Sequence, residues 1–266
     1  MKNAIKKWLP ALLFGLSSLA HADLGDIDVI ETAGTQEKTG LHGMIGVAAL
    51  SVPKYSGADD REISPLPLIM LDYNDTWYFH LNRAGVWAFK GDQNAWRLGL
   101  IARPYRERNS GCCDELDNTS DRDTSLGVGV AASLKLPVGE LSADFVHDVL
   151  DNADGAWGEL MYRVAILDAL PKAQVKIGFG AQWLGSNVAD YYYGITNREA
   201  APGRPAYDAD STVNWKATLL GSYAISRSFT LMGGGGYTYF GDNIDDSPIV
   251  ETSGDLVGFV GLGWQF

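Results

Sequence analysis

The chain has 266 residues, 33 acidic against 21 basic side chains, and a formal charge of −12. That balance excludes a nucleic-acid partner, because phosphate recognition needs a surplus of Lys and Arg. Past the first two dozen residues no stretch is apolar for the roughly 20 positions a transmembrane helix takes. A mean hydropathy of −0.08 is still what strands with every second position apolar would give.

In chain order the first signal is Lys2, Lys6 and Lys7, an apolar run from Trp8 to Leu19, and Ala20-His21-Ala22. A basic start, a short hydrophobic core and a small-x-small site read as a cleavable secretory signal over residues 1–22. Its removal takes away three lysines and moves the formal charge from −12 to −15. Residues 23–40 are polar and are expected to form a periplasmic leader; a barrel is expected over 41–266.

Alternation then dominates. Leu126, Val128, Val130, Ala132, Leu134 and Leu136 share one face, with Gly127, Gly129, Ala131, Ser133 and Lys135 between them. Ala173, Val175, Ile177, Phe179, Ala181 and Trp183 repeat the pattern, as do Val213, Trp215, Ala217 and Leu219. Period-two runs of about ten residues mark a membrane β-barrel, apolar outward and polar or small inward; soluble sandwich strands are nearer five or six. The fold class expected is therefore all-β, a single antiparallel transmembrane barrel.

Twelve strands are predicted, near 41–52, 65–73, 76–82, 84–90, 95–105, 125–136, 140–148, 157–167, 173–185, 212–224, 228–240 and 256–266. Short connections at Asn74-Asp75, 90–94, 137–139, 168–172 and 225–227 alternate with those at 53–64, 83, 106–124, 149–156, 186–211 and 241–255, all long except the second. With both ends of the barrel in the periplasm, the long loops fall on one side, as in bacterial barrels. Trp77, Trp96, Trp157, Trp183, Trp215 and Trp264 are expected in interfacial girdles.

Catalytic chemistry is sparse. His147-Asp148 resembles a base and its orienting acid, but neighbours on a strand point to opposite faces. His80 shares a side with Tyr78 and Asn82 and reads as interior wall. Gly233 to Gly236 lacks the Lys-Ser/Thr and the helix of a phosphate loop and reads as strand curvature. Cys112 and Cys113 are adjacent, so a bond between them would cross-link nothing distant. No cofactor is called for. Acidic loops at 106–124 and 241–255 read as solvated surface in preference to cation sites.

The face opposite lipid carries Arg97, Arg103, Asp144, Glu159, Arg163, Lys176 and Lys216 as candidate lumen residues. Opposite charges can pair across an interior; a plugged barrel and a narrow pore both fit them. The last strand alternates through Leu256, Val260, Leu262, Trp264 and Phe266. A terminal Phe on an aromatic strand resembles the signal read by the outer-membrane barrel-assembly machinery, and Trp264 and Phe266 are assigned that role.

Three further stretches carry a family resemblance. They are Pro53-Lys54-Tyr55-Ser56-Gly57, Asp190-Tyr191-Tyr192-Tyr193-Gly194-Ile195 with Arg198-Glu199-Ala200, and Asp246-Ser247-Pro248-Ile249-Val250. In order and spacing they resemble the MipA/OmpV family of outer-membrane proteins over essentially the whole mature chain. The resemblance implies a barrel in outer-membrane lipid. It also implies a non-enzymatic scaffold that joins a murein hydrolase to a synthase, as one family member does, while others are associated with adhesion or with antibiotic and osmotic responses. It supplies no catalytic residues; Pro53, Tyr55, Gly57, Tyr191, Tyr192, Gly194, Ser247 and Pro248 match motifs at loop bases, where Pro and Gly set turns. A narrow channel using the charged lumen, and an adhesin using the long loops, are the alternatives.

Overall fold

A computed structural model describes residues 39–170 and 172–266, with backbone alone at 168–170. The expected signal at 1–22 and nearly all of the leader at 23–40 lie outside the described residues.

The strands are β1 (Leu41–Pro53), β2 (Arg61–Tyr73), β3 (Trp77–His80), β4 (Arg83–Lys90), β5 (Trp96–Tyr105), β6 (Ser125–Lys135), β7 (Glu140–Asp148), β8 (Ala156–Leu170), β9 (Ala173–Leu184), β10 (Thr212–Ala224), β11 (Phe229–Tyr239) and β12 (Gly254–Gln265). Two short helices sit in loops, α1 (Ser186–Tyr193) and α2 (Asp242–Asp245). Each strand pairs antiparallel with its chain neighbours, and β1 closes on β12 through a ladder from Met44↔Gln265 to Ser51↔Gly258. The twelve-stranded closed barrel agrees with the strands expected from alternation.

Turn chemistry fixes one end. Asn74 and Asp75 both have positive φ (54° and 47°), and Thr76 N–H donates to the Tyr73 carbonyl. Two central residues with positive φ match the right-handed twist of a hairpin, and Asn and Asp tolerate that conformation. The connections after β2, β4, β6, β8 and β10 are all short, and those after β1, β5, β7, β9 and β11 gather at the other end. We call these the turn end and the loop end.

Outward positions form an apolar belt: Leu98 and Leu100 on β5, Val128 and Val130 on β6, Leu219 on β10, and Val260 and Leu262 on β12 are all exposed. Aromatic rings rim it, with Trp77, Trp96, Trp264 and Phe266 toward the turn end and Trp183, Trp215 and Tyr239 toward the loop end. Such a belt is stable only against hydrocarbon. Trp157 departs from the girdle expectation. It is fully buried, because it has the parity of Glu159, Met161 and Arg163 on β8 and therefore points inward.

The interior is asymmetric. On the β1, β2 and β12 side it is packed with buried Leu50, Leu66, Leu68, Met70 and Phe259. The β4–β10 side holds charges. Gly261 on β12 leaves room for this packing, since a Cβ there would meet the Ala48 Cβ at 2.6 Å and the Leu68 Cδ1 at 2.9 Å.

The wall has one uneven place. β3 has four residues between a 13-residue β2 and a ten-residue β5. β3 pairs with β2 only over Met70–Tyr73, and β4 reaches β5 only as far as Ala102. Above the Leu81–Asn82 hairpin tip, residues 61–68 of β2 and 103–105 of β5 face each other with no strand between them. Leu81 N–H donates to the Ile69 carbonyl, so the odd residues of β2 direct their amides into this window. Gly91 N–H donates to the Trp96 carbonyl, so the even residues of β5 do the same. The residues at those positions include Pro65, Pro67 and Pro104, which have no N–H to leave unpaired.

Candidate functional site

Two structures occupy the barrel: a charged cluster at mid-height and a layer of loops over the mouth. In the cluster, Glu159 accepts from Lys216 Nζ at 2.7 Å and from Arg83 Nη2 at 3.0 Å. Asp144 pairs with Arg103 at 2.7 Å, and its other oxygen lies 3.9 Å from Arg83. The donors come from β4, β5 and β10 and the acceptors from β7 and β8, so the pairs tie together strands that are not neighbours. Lys216 and Glu159 side chains are 0 % and 3 % exposed. Removing one partner from such a buried set costs about 3–5 kcal/mol, because the other charge stays buried and unpaired.

Four of the candidate lumen residues, Arg103, Asp144, Glu159 and Lys216, thus meet at mid-height. The other three lie nearer the turn end. Arg97 donates to Ser133 Oγ and Glu140 and stacks 4.7 Å over Trp87; Arg163 donates to Ser142 Oγ; Lys176 is half-buried on β9. Arg83 was not among the sequence candidates, since position 83 was read as a connection. Its signal was available: a hairpin whose tip is two residues places the next residue, paired with His80, back on the inward face.

The loop layer joins the three family-motif stretches. Ser56 Oγ donates to Asp255 at 2.6 Å, and Tyr193 hydroxyl donates to Ser56 Oγ at 2.8 Å. Ser247 Oγ donates to the Tyr193 carbonyl at 2.6 Å. Gly57 has φ +94°, and a Cβ there would meet Val250 Cγ2 at 2.9 Å, so both the turn and the close approach require glycine. Tyr55, Leu116, Ile195 and Ile249 pack into one buried cluster above. Pro53 ends β1, Gly194 ends α1 by donating to the Asp190 carbonyl, and Pro248 lies in the turn between Ser247 and Val250.

Tyr192 carries the layer down into the barrel. Its hydroxyl donates to the Asp123 carbonyl and accepts from Ser125 N–H, and its ring packs 4.6 Å from Tyr105. Burial pushes the Tyr192 phenol up. Tyr191 stacks edge-on with Tyr192 and lies under the Arg122 guanidinium at 5.5 Å. Arg122 also pairs with Glu199 at 3.2 Å. Burial opposes ionisation of Glu199, but N–H bonds from Ser120 and Thr196, the Thr196 hydroxyl and Arg122 outweigh it and bring the carboxyl down to about 2.

The two histidine–aspartate pairs are built differently. His147 is exposed, while Asp148 is buried and accepts five backbone N–H groups, from Leu126, Leu150, Asn152, Ala153 and Asp154. Asp148 shapes the β7–β8 loop. His80 contacts Asp72 on β2 at 3.0 Å. Cys112 and Cys113 are free thiols, and burial pushes Cys113 up to about 12, which leaves it a poor nucleophile. Among the described residues no group of three His, Cys, Asp or Glu side chains is placed to hold a metal.

Between cap and interior lies a cavity of about 60 Å³, bounded by Asn82, Pro104, Tyr105, Arg108, Tyr193 and Asp255 among others. That volume holds a few waters or a small polar group.

A closed antiparallel barrel with a lipid-facing belt and a loop-capped mouth defines an integral membrane β-barrel. Residues 45–266 match the family described as MltA-interacting protein MipA, and the chain belongs to that family. The putative outer membrane protein YiaT of Escherichia coli K12 is 26 % identical over 82 % of this chain and 88 % of its own. The MltA-interacting protein of the same strain is 23 % identical over 88 % and 92 %. OmpV of Vibrio cholerae is 28 % identical over 52 % and 53 %. The NanC porin structure aligns over 84 % of this chain and all of its own with a TM-score of 0.45 and 9 % identity. The protein is an outer-membrane protein of bacteria.

Proposed function

We propose that this chain is a filled, non-conducting barrel that works without catalysis, as an outer-membrane scaffold for peptidoglycan-remodelling enzymes. The observation that carries the reading is the Glu159 carboxylate bridging Lys216 and Arg83, at 2.7 and 3.0 Å. It sets salt bridges across the bore at mid-height, with buried Trp157 and Met161 on the same strand face. In this reading the charged interior residues are struts that hold the barrel's shape, and the protein acts through its surfaces.

A murein hydrolase or synthase as partner is supported by the name of the MltA-interacting protein relative. The docking face is the periplasmic one: the turn end together with the 23–40 leader. Removal of residues 1–22 on export, and recognition of Trp264 and Phe266 by the assembly machinery, belong to the same proposal. The two rings stack at 5.2 Å at the turn end.

The test has two arms. Cross-linked cells expressing the tagged full chain, with or without residues 23–40, are solubilised, and co-purifying murein enzymes are identified. Recovery that depends on the leader or on turn-end side chains supports the scaffold; no murein enzyme in either sample overturns it. In planar bilayers the purified barrel should give no conductance steps. Steps altered by neutralising Arg97 or Lys176 would show a channel instead.

A further inference from the structure

The window between β2 and β5 opens toward the cavity under the loop cap. Its frame is complete. Leu81 and Asn82 form the sill, the free edges of β2 and β5 the sides, and Arg106 the lintel, donating from the end of β5 to the carbonyls of Pro53 and Lys54 at 2.8 and 2.6 Å. Asn82, Pro104 and Arg106 bound both window and cavity. Outward Ile63 (79 % exposed), Pro65 and Pro67 beside it are apolar and exposed Arg61 stands at its upper end, so the window lies at the loop-end margin of the lipid-facing belt.

An open sheet edge in hydrocarbon is ordinarily forbidden, because each unpaired N–H costs several kcal/mol. Here Pro65, Pro67 and Pro104 remove donors that would point into the gap. The edge is chemically adapted to apolar contact.

Inside, Arg108 lines the cavity. It is 4 % exposed; Nη1 donates to the Tyr192 carbonyl at 2.6 Å, while Nε and Nη2 have no hydrogen-bond partner among the described residues. Burial, and then the nearby Arg122 charge, bring its guanidinium down to about 10, so it stays a cation at neutral pH. The carboxylates whose charges reach it bond other groups, Glu199 to Arg122, Ser120 N–H and Thr196, and Asp121 to Ser110; at the cavity wall Asp255 accepts from Ser56 Oγ and Gly57 N–H, and Glu107 from the Thr124 hydroxyl. The Nε–Nη2 edge is the side of a guanidinium that binds the two oxygens of a carboxylate or phosphate in parallel.

We propose that the window is a lateral portal, and that the cavity seats the carboxylate of a long-chain fatty acid on Arg108 while its tail remains in the bilayer. The volume takes a head group but not a chain. The buried Tyr55–Leu116–Ile249 cluster belongs to the loop cap over the mouth, and the proposed way in is from the membrane side. This goes beyond the scaffold reading and stands whether or not a murein enzyme docks at the turn end.

The test uses the full-length barrel in nanodiscs with palmitate as probe. Saturable palmitate binding is expected. Arg108→Gln should weaken it about tenfold or more, the scale of losing a charge-assisted bidentate pair, and Arg108→Lys should lie between. Acetate and inorganic phosphate at millimolar concentration should not compete. Equal binding of those tail-free anions would make this a solute site reached through the loops and overturn the portal; palmitate binding unchanged in Arg108→Gln would overturn the site. If that variant does not fold, photolysis of a diazirine-bearing palmitate on the wild-type barrel decides. Adducts concentrated at Asn82, Pro104 and Tyr105 support the portal, and adducts spread evenly around the belt overturn it.

Discussion

Ser247 Oγ donates to the Tyr193 carbonyl at 2.6 Å, and this bond joins the β11–β12 loop to the end of α1 across 54 residues of sequence. Ser247 is 2 % exposed, so water cannot replace it. Ser247→Ala should cost about 1–3 kcal/mol of local stability, the penalty of an unsatisfied buried carbonyl. Limited proteolysis of the folded barrel should then show faster cleavage within 195–207, with the transmembrane strands intact. An unchanged rate would mean the bond does not hold the cap.

The charged cluster predicts a larger effect. Glu159→Ala removes the carboxylate that Lys216 and Arg83 share and leaves the buried cluster with an excess of positive charge, and should destabilise the barrel by about 3–5 kcal/mol. Urea unfolding in lipid vesicles, followed by tryptophan fluorescence, reads this directly. A loss below 1 kcal/mol would show that water reaches the cluster.

Trp157 and Gly127 form a testable pair. A Cβ at Gly127 would approach Trp157 Cζ2 and Val146 Cγ2 at 2.5 Å each. Gly127→Ala should therefore destabilise by about 1–3 kcal/mol through overpacking. Trp157→Phe alone should also cost stability, yet in combination it should recover part of the alanine's penalty. A double-mutant cycle on the same urea assay measures this coupling, and strict additivity would contradict the contact.

Acid should loosen the cap before the barrel. Glu199 is held at about 2 against an ordinary 4.5. A carboxyl depressed in the folded state contributes stability that is fully present above its unfolded value and lost as pH falls through its folded value. Protection factors of the Ser120 and Thr196 amides, corrected for the intrinsic exchange rate at each pH, should fall between about pH 4.5 and about pH 2, and Glu199→Gln should flatten that profile. An identical profile in the variant would assign the transition to another group.

The barrel was legible because lipid enforces period two on each strand, and because the alternation of short and long connections checks the strand count. Trp157 was grouped with the interfacial tryptophans by residue type, although its parity with Glu159 and Arg163 already turned it inward. Arg83 escapes when position 83 is taken as the connection, although a tip of two residues, Leu81 and Asn82, pairs it with His80 and returns it to the inward face. The ion-pair partners depend on strand stagger around the barrel, which no single strand encodes. That the three tyrosine- and proline-bearing motifs converge is likewise a property of closure: residues 55, 193 and 249 meet only once β1 has found β12.

The prolines beside the window have a consequence for self-association. A free strand edge is a template, and a second copy of the chain, crowded alongside in the same membrane, would offer the matching strand. Without amides at residues 65, 67 and 104 the part of the template nearest the Leu81–Asn82 tip has acceptors but lacks the donors that a ladder alternates with them, and only Arg61 and Ile63 at its upper end keep theirs. Neighbouring barrels can therefore touch at this seam without fusing into a shared sheet, and the opening stays an intramolecular one however densely the protein is packed.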